Sequence, residues 1–87
     1  MDTLVVNIRF DTLPGSSSKR TIVESTPILD TAAAVRMVNA IGRRLHSTGC
    51  IDARDGHPKM IFGKDRRQGV VEYLLEEGVR RENIHVT

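Results

Sequence analysis

The sequence predicts an α+β domain, a two-layer sandwich with two helices on one face of a three- to five-stranded mixed sheet. Three observations predict it. Leu4 to Phe10 alternates apolar with other positions, the period of a strand that buries one side. Two later stretches, one ending near His46 and one spanning residues 65–77, repeat their apolar residues at helical spacing. Around them lie short apolar runs bounded by Gly, Pro, Asn and Asp, the punctuation of strands and turns.

In the first strand Leu4, Val6, Ile8 and Phe10 share one face and Val5, Asn7 and Arg9 the other. Thr12-Leu13-Pro14-Gly15 turns the chain, with Pro pre-setting φ and Gly supplying the positive φ of a type II turn. Residues 20–23 read either as a strand returning antiparallel to the first or as an extended crossing toward the next helix. Ser25-Thr26-Pro27 marks the expected helix start, a hydroxyl N-cap followed by Pro, with Asp30 in the first turn. That helix runs to about His46 on a stripe of Ala34, Val38, Ile41 and Leu45, widened by Leu29, Val35 and Met37, and Gly49 is its expected C-cap.

Residues 50–54 alternate as a strand, with Cys50 expected as a small buried hydrophobe. Asp55-Gly56-His57-Pro58 is a dense turn signal. Residues 59–62 are a short strand or the lead-in to the second helix. Asp65 is the expected N-cap of that helix, Arg67, Val70, Val71, Leu74 and Leu75 its stripe, and Gly78 its stop. Ile84 and Val86 are the expected inward residues of a last strand. The parallel steps should cross over right-handed. If residues 59–62 form a strand, a ferredoxin-like βαββαβ order is the alternative.

Eighty-seven residues make one domain, 1–87, that buries only about 60–65% of its unfolded surface. At 39% hydrophobic and 28% charged the composition is that of a globular protein, and no apolar run approaches membrane-span length. Only Phe10, Phe62 and Tyr73 are aromatic, so the core is expected to be aliphatic and to claim all three. A single cysteine excludes an internal disulfide. The N-terminal residues lack the pattern of a secretion leader, which implies a cytoplasmic protein if Met1 is the native start and a periplasmic one if a leader was removed.

The order Arg66, Val70, Tyr73-Leu74, Gly78-Val79, Ile84 resembles, without a gap, the C-terminal half of the OmpA-like domain, the peptidoglycan-binding module of outer-membrane and peptidoglycan-associated proteins. Residues 7–11 resemble that family's first strand, residues 29–45 its first helix, and Gly56-His57 the start of its Gly-His-Thr-Asp loop. The resemblance does not reach the family's final strand. It implies a βαβαβ scaffold and a non-catalytic module binding a peptidoglycan-like ligand. In that family an Arg grips the carboxylate of diaminopimelate and the loop Asp accepts from its ammonium. Arg66 occupies the Arg position. Pro58-Lys59 replaces the Thr-Asp pair, leaving Asp55 or Asp52 as the stand-in acid.

The candidate ligand-binding residues are therefore Arg66, Arg67, His57 and Asp55. A cation at a helix opening opposes the dipole and makes sense where it meets an anion. Cys50, Asp52, Asp55 and His57 match no zinc spacing, so no metal and no cofactor is expected. No nucleophile–base constellation is present, so no enzyme is expected. The rival partner is nucleic acid or an acidic protein: residues 36–64 hold six basic residues against Asp52 and Asp55, within a chain of net charge +2. Open sheet edges allow a monomer or a weak homodimer.

Overall fold

The computed structural model describes residues 4–87; Met1, on which the expected compartment turns, lies outside them. The elements are β1 (Val5–Thr12), β2 (Lys19–Thr26), α1 (Thr31–Leu45), β3 (Gly49–Asp52), β4 (Lys59–Gly63), α2 (Arg67–Glu76), a 3₁₀ turn (Arg81–Asn83) and β5 (Ile84–Val86). Both segments that the sequence leaves open are strands, so the order is ββαββαβ rather than the ferredoxin-like βαββαβ. The five strands form one mixed sheet in the order β3-β4-β2-β1-β5, antiparallel except where β5 joins β1.

One face of this sheet carries the core. Val6, Ile8, Val23, Met60 and Phe62 pack with Met37, Val38 and Ile41 of α1, Val70 and Leu74 of α2, and Val79 beyond it. Both helices thus seal the same side, the α+β sandwich that the alternation of β1 and the two helical stripes predict. The other face holds the cross-strand row Arg9–Ile22–Ile61–Cys50. Ile22 and Ile61 are buried there although no helix covers them. Leu13 and Pro14 from the β1–β2 turn and Asp52, Arg54 and Asp55 from the β3–β4 end line one hollow with Arg9 and Lys59. The two loops therefore fold over that face from opposite ends.

The helix ends depart from expectation in instructive ways. Ser25 and Thr26 do not cap α1, because they pair with Val6 and Val5 at the end of β2. The N-cap is Asp30, whose carboxylate accepts from the Ala33 N–H at 2.7 Å. The C-terminus closes in a Schellman turn: His46 is left-handed, its N–H donates to Arg43 O, and Ser47 N–H donates to Gly42 O at 2.9 Å. Gly49 is not this cap. A Cβ there would lie 2.5 Å from Phe62 and 2.6 Å from Val38, so glycine is required for the close approach of β3 to the core. Gly78 does stop α2, with φ +91° and Val79 N–H donating to Leu74 O at 3.0 Å.

Burial also corrects four residues. Cys50 is exposed, on the face without helices. Val35 and Val86 are 41% and 48% exposed, because Val35 lies on the outer side of α1 and β5 is an edge strand. Thr21, polar and absent from any expected core, is fully buried.

Candidate functional site

The best-defined polar constellation lies where β4 gives way to α2. After Gly63 the chain bends through Lys64, a non-glycine residue at φ +62°. The bend is held by the buried Thr21 hydroxyl, which donates to Lys64 O at 2.7 Å and accepts from the Arg66 N–H at 2.7 Å. A β-branched threonine suits the strand, and its hydroxyl satisfies a donor and an acceptor that would otherwise have no partner.

Asp65 is not the N-cap of α2. That position is Arg66, which offers no side-chain cap. Asp65 instead accepts from the Arg67 N–H at 3.3 Å and holds the Arg67 guanidinium at 2.8 and 2.6 Å. This hydrogen bond from Arg67 keeps the Asp65 carboxyl below its ordinary range and raises the Arg67 guanidinium above its own. Arg67 also donates to Thr87 O at 2.9 Å and stands 5.4 Å from the centre of the Phe10 ring. Its charge is largely spent on structure.

Arg66 differs. Its Nε is buried and has no hydrogen-bond partner, the one such side-chain atom among the described residues. Within α2 the first intrahelical acceptor is used by Val70, whose N–H donates to Arg66 O at 3.0 Å. The N–H groups of Gln68 and Gly69 therefore have no acceptor inside the helix. Arg66 does not line the hollows beside β3, between α2 and β5, under the β1–β2 and β3–β4 loops, or around Asn7 and His85.

His57 and Asp55 stand elsewhere. They lie in the β3–β4 loop, whereas Arg66 follows the far end of β4, a five-residue strand spanning roughly 17 Å at ~3.4 Å per residue. The expected partnership of Asp55 with Arg66 is thus not formed. Asp55 pairs with Lys59 and accepts from the His57 N–H at 3.0 Å, and these bonds, Lys59 first, lower its carboxyl. Asp52 is held at about 2 by the bidentate grip of Arg54. Among the described residues, no three His, Cys, Asp or Glu side chains are grouped to hold a metal ion, and no helix is long and apolar enough to cross a membrane.

The basic stretch is partly neutralised in the same way. Of its six cations Arg44 pairs with Glu76 at 2.9 Å, Arg54 with Asp52 at 2.8 Å and Lys59 with Asp55. Sequence reasoning missed Thr21 and the α2–β5 groove; the only signal for Thr21 was a hydroxyl between Arg20 and two apolar residues.

No protein-family model matches the chain, and no curated protein matches it.

Proposed function

We propose that this domain is a non-catalytic recognition module, a diverged relative of the OmpA-like domains, that takes an anionic group of its ligand at the opening of α2. The observation that carries the reading is the Arg66 Nε, buried without an acceptor beside a helix start that has no side-chain cap. A buried donor left unpaired costs about 1–3 kcal/mol; because Arg66 lines none of the hollows described, its side chain must turn outward for an incoming carboxylate or phosphate oxygen to relieve that cost. The unbonded first-turn N–H groups and the helix dipole favour the same charge. The matched order from Arg66 to Ile84 falls on one helix–glycine–strand unit, which supports the kinship. With Asp55 remote, recognition rests on the anion alone.

Amide NMR titration with a diaminopimelate-containing peptide, and separately with inorganic phosphate, tests this. Shifts are expected at Thr21 and residues 64–70; their absence with both probes ends the reading. Arg66→Met should abolish the shifts while raising stability by about 1 kcal/mol, since it removes an unsatisfied buried donor. The nucleic-acid or acidic-protein alternative is left with Arg36, Arg43 and Lys64 from its stretch, and a gel-shift series at rising salt tests it.

A further inference from the structure

The end of the sheet at which β4 gives way to α2 holds more charge than one anion uses. β1 and β4 finish there and β2 and β3 begin, since Thr12 pairs with Lys19 and Gly49 with Phe62. α1 also ends there, against the start of α2: a Cβ on Gly69 would lie 2.4 Å from Leu45. Five cations come together from these separate elements, Lys19 and Arg20 from β2, Arg43 from α1, and Lys64 and Arg66 from the bend. Their charges are unspent. None of the five makes an ion pair among the described residues, and of the other Lys and Arg side chains that holds only for Arg36 and Arg81.

The acids nearby do not neutralise this group. Asp65 is taken by Arg67. Asp11, opposite Arg20 in the β1–β2 register, accepts from the Thr12 N–H at 2.8 Å and forms no ion pair among the described residues. The hollow that Arg43 lines with His46 and Thr48 has no acid. The uncapped start of α2 adds its dipole and free N–H groups to the same end.

The spacing suits a series of anions. Arg20 and Lys64 are bridge partners on neighbouring strands, and Thr48, beside Arg43, leads into β3 on the other side of β4. From β1 to β3 the four strand ends span about 14 Å, at ~4.8 Å per gap. A nucleic-acid duplex carries one charge per ~1.7 Å of axis, so that length presents about eight phosphates, roughly four of them on one side. Base stacking has no platform here: Phe10, the ring at this end, already has Lys19 at 5.9 Å and Arg67 at 5.4 Å from its centre. A duplex, with its bases inside, needs none. Nor does an exposed apolar side chain stand among the cations to enter a bilayer, because Ile28 and Val35 belong to the opposite end of α1 and Val86 to the α2–β5 groove.

We propose that this end of the sheet grips the phosphate backbone of double-stranded nucleic acid, without reading its sequence, through Arg20, Arg43, Lys64 and Arg66. The proposal rests on the anion reading of the α2 opening and makes that anion one phosphate of a series. Three of the four are arginines, whose forked donors suit phosphate oxygens. Arg20 lies outside residues 36–64, so its part separates this surface from one made of that stretch alone.

Fluorescence anisotropy with a labelled DNA duplex of about 20 base pairs tests this, and log K should fall against log salt with a slope of about −3.6, the value for four phosphate contacts. Two duplexes of unrelated sequence should bind alike. Arg20→Gln, Arg43→Gln and Lys64→Asn should each weaken binding about tenfold at about 50 mM salt and flatten the slope by about 1. Asparagine suits the left-handed backbone at position 64. Arg81→Gln removes the same charge beyond the far end of α2 and should change neither quantity. All four residues are exposed, and unchanged circular dichroism confirms that the variants fold. Absence of duplex binding, a loss with Arg81→Gln as large as with Arg20→Gln, or tighter binding to phosphatidylserine vesicles than to the duplex overturns the proposal. If inorganic phosphate shifts residues 64–70 while the duplex does not bind, the single-anion reading stands and this one falls; if neither probe binds, both fall.

Discussion

At the β3 edge of the sheet α1 closes so tightly that Gly49 has no room for a Cβ, whereas at the β5 edge α2 leaves a groove and Val86 half exposed. The two edges have the same backbone problem, a row of unpaired N–H and C=O groups. They differ in what stands beside them. The β3 edge is locked onto Phe62 and Val38, and its flank is cationic. The β5 edge is three residues long, is secured at its end by Arg67 on Thr87 O, and carries both signs of charge. Tight packing constrains the first flank, whereas the second keeps a groove beside its edge strand.

Breaking the tight edge should have the largest effect. Gly49→Ala forces a methyl against two buried side chains that cannot swing away, and should cost about 3 kcal/mol, the upper range for overpacking. Urea denaturation measures it, and a loss below half that value would mean that β3 can shift outward. Next is the hydroxyl that positions the looser flank. Thr21→Val keeps the shape but strands Lys64 O and the Arg66 N–H, for an expected loss of about 2 kcal/mol. If α2 is set by packing alone, the same melt will show no change.

Asp30→Ala removes the only side-chain cap on either α-helix and should cost about 1 kcal/mol, read as a lower thermal midpoint. The smallest effect concerns the end of β3. Arg54 holds the Asp52 carboxyl at about 2, below its ordinary 3.8. The sign follows: this contribution is complete above pH ~4 and is lost as pH falls toward 2, because the unfolded chain takes up the proton first. Asp52 is a surface carboxylate, so the effect should be slight and salt-sensitive. A ¹³C-detected titration of Asp52 with an ordinary midpoint would remove it.

Much of the architecture was legible because local patterns carry it. The period of two in residues 4–10 reports which side of β1 faces the helices, and Gly78 announces a left-handed residue that others adopt at a cost. Capping was misread where two signals competed. Ser25-Thr26-Pro27 has the chemistry of a helix start, yet Ser25 and Thr26 pair with β1, and Asp30 four residues later takes the role. At the other end of α1, Gly49 looked like the stop, while His46 adopted the left-handed turn. Cys50 was expected inside because small apolar residues usually are; it shares the helix-free face with the buried Ile61, but it lies on the edge strand β3 and is exposed there.

The sequence by itself determined the two helices, the first strand, the glycine stop after α2 and the side of β1 that meets the helices, since each depends on residues a few positions apart. Only the tertiary structure decided the strand order, the separation of Asp55 from Arg66, the stranded Nε of Arg66 and the difference between the two edges. The physical reason is range. Periodicity and capping act over one or two turns of chain, whereas Thr21 reaches Arg66 across 45 positions through contacts that no local pattern encodes.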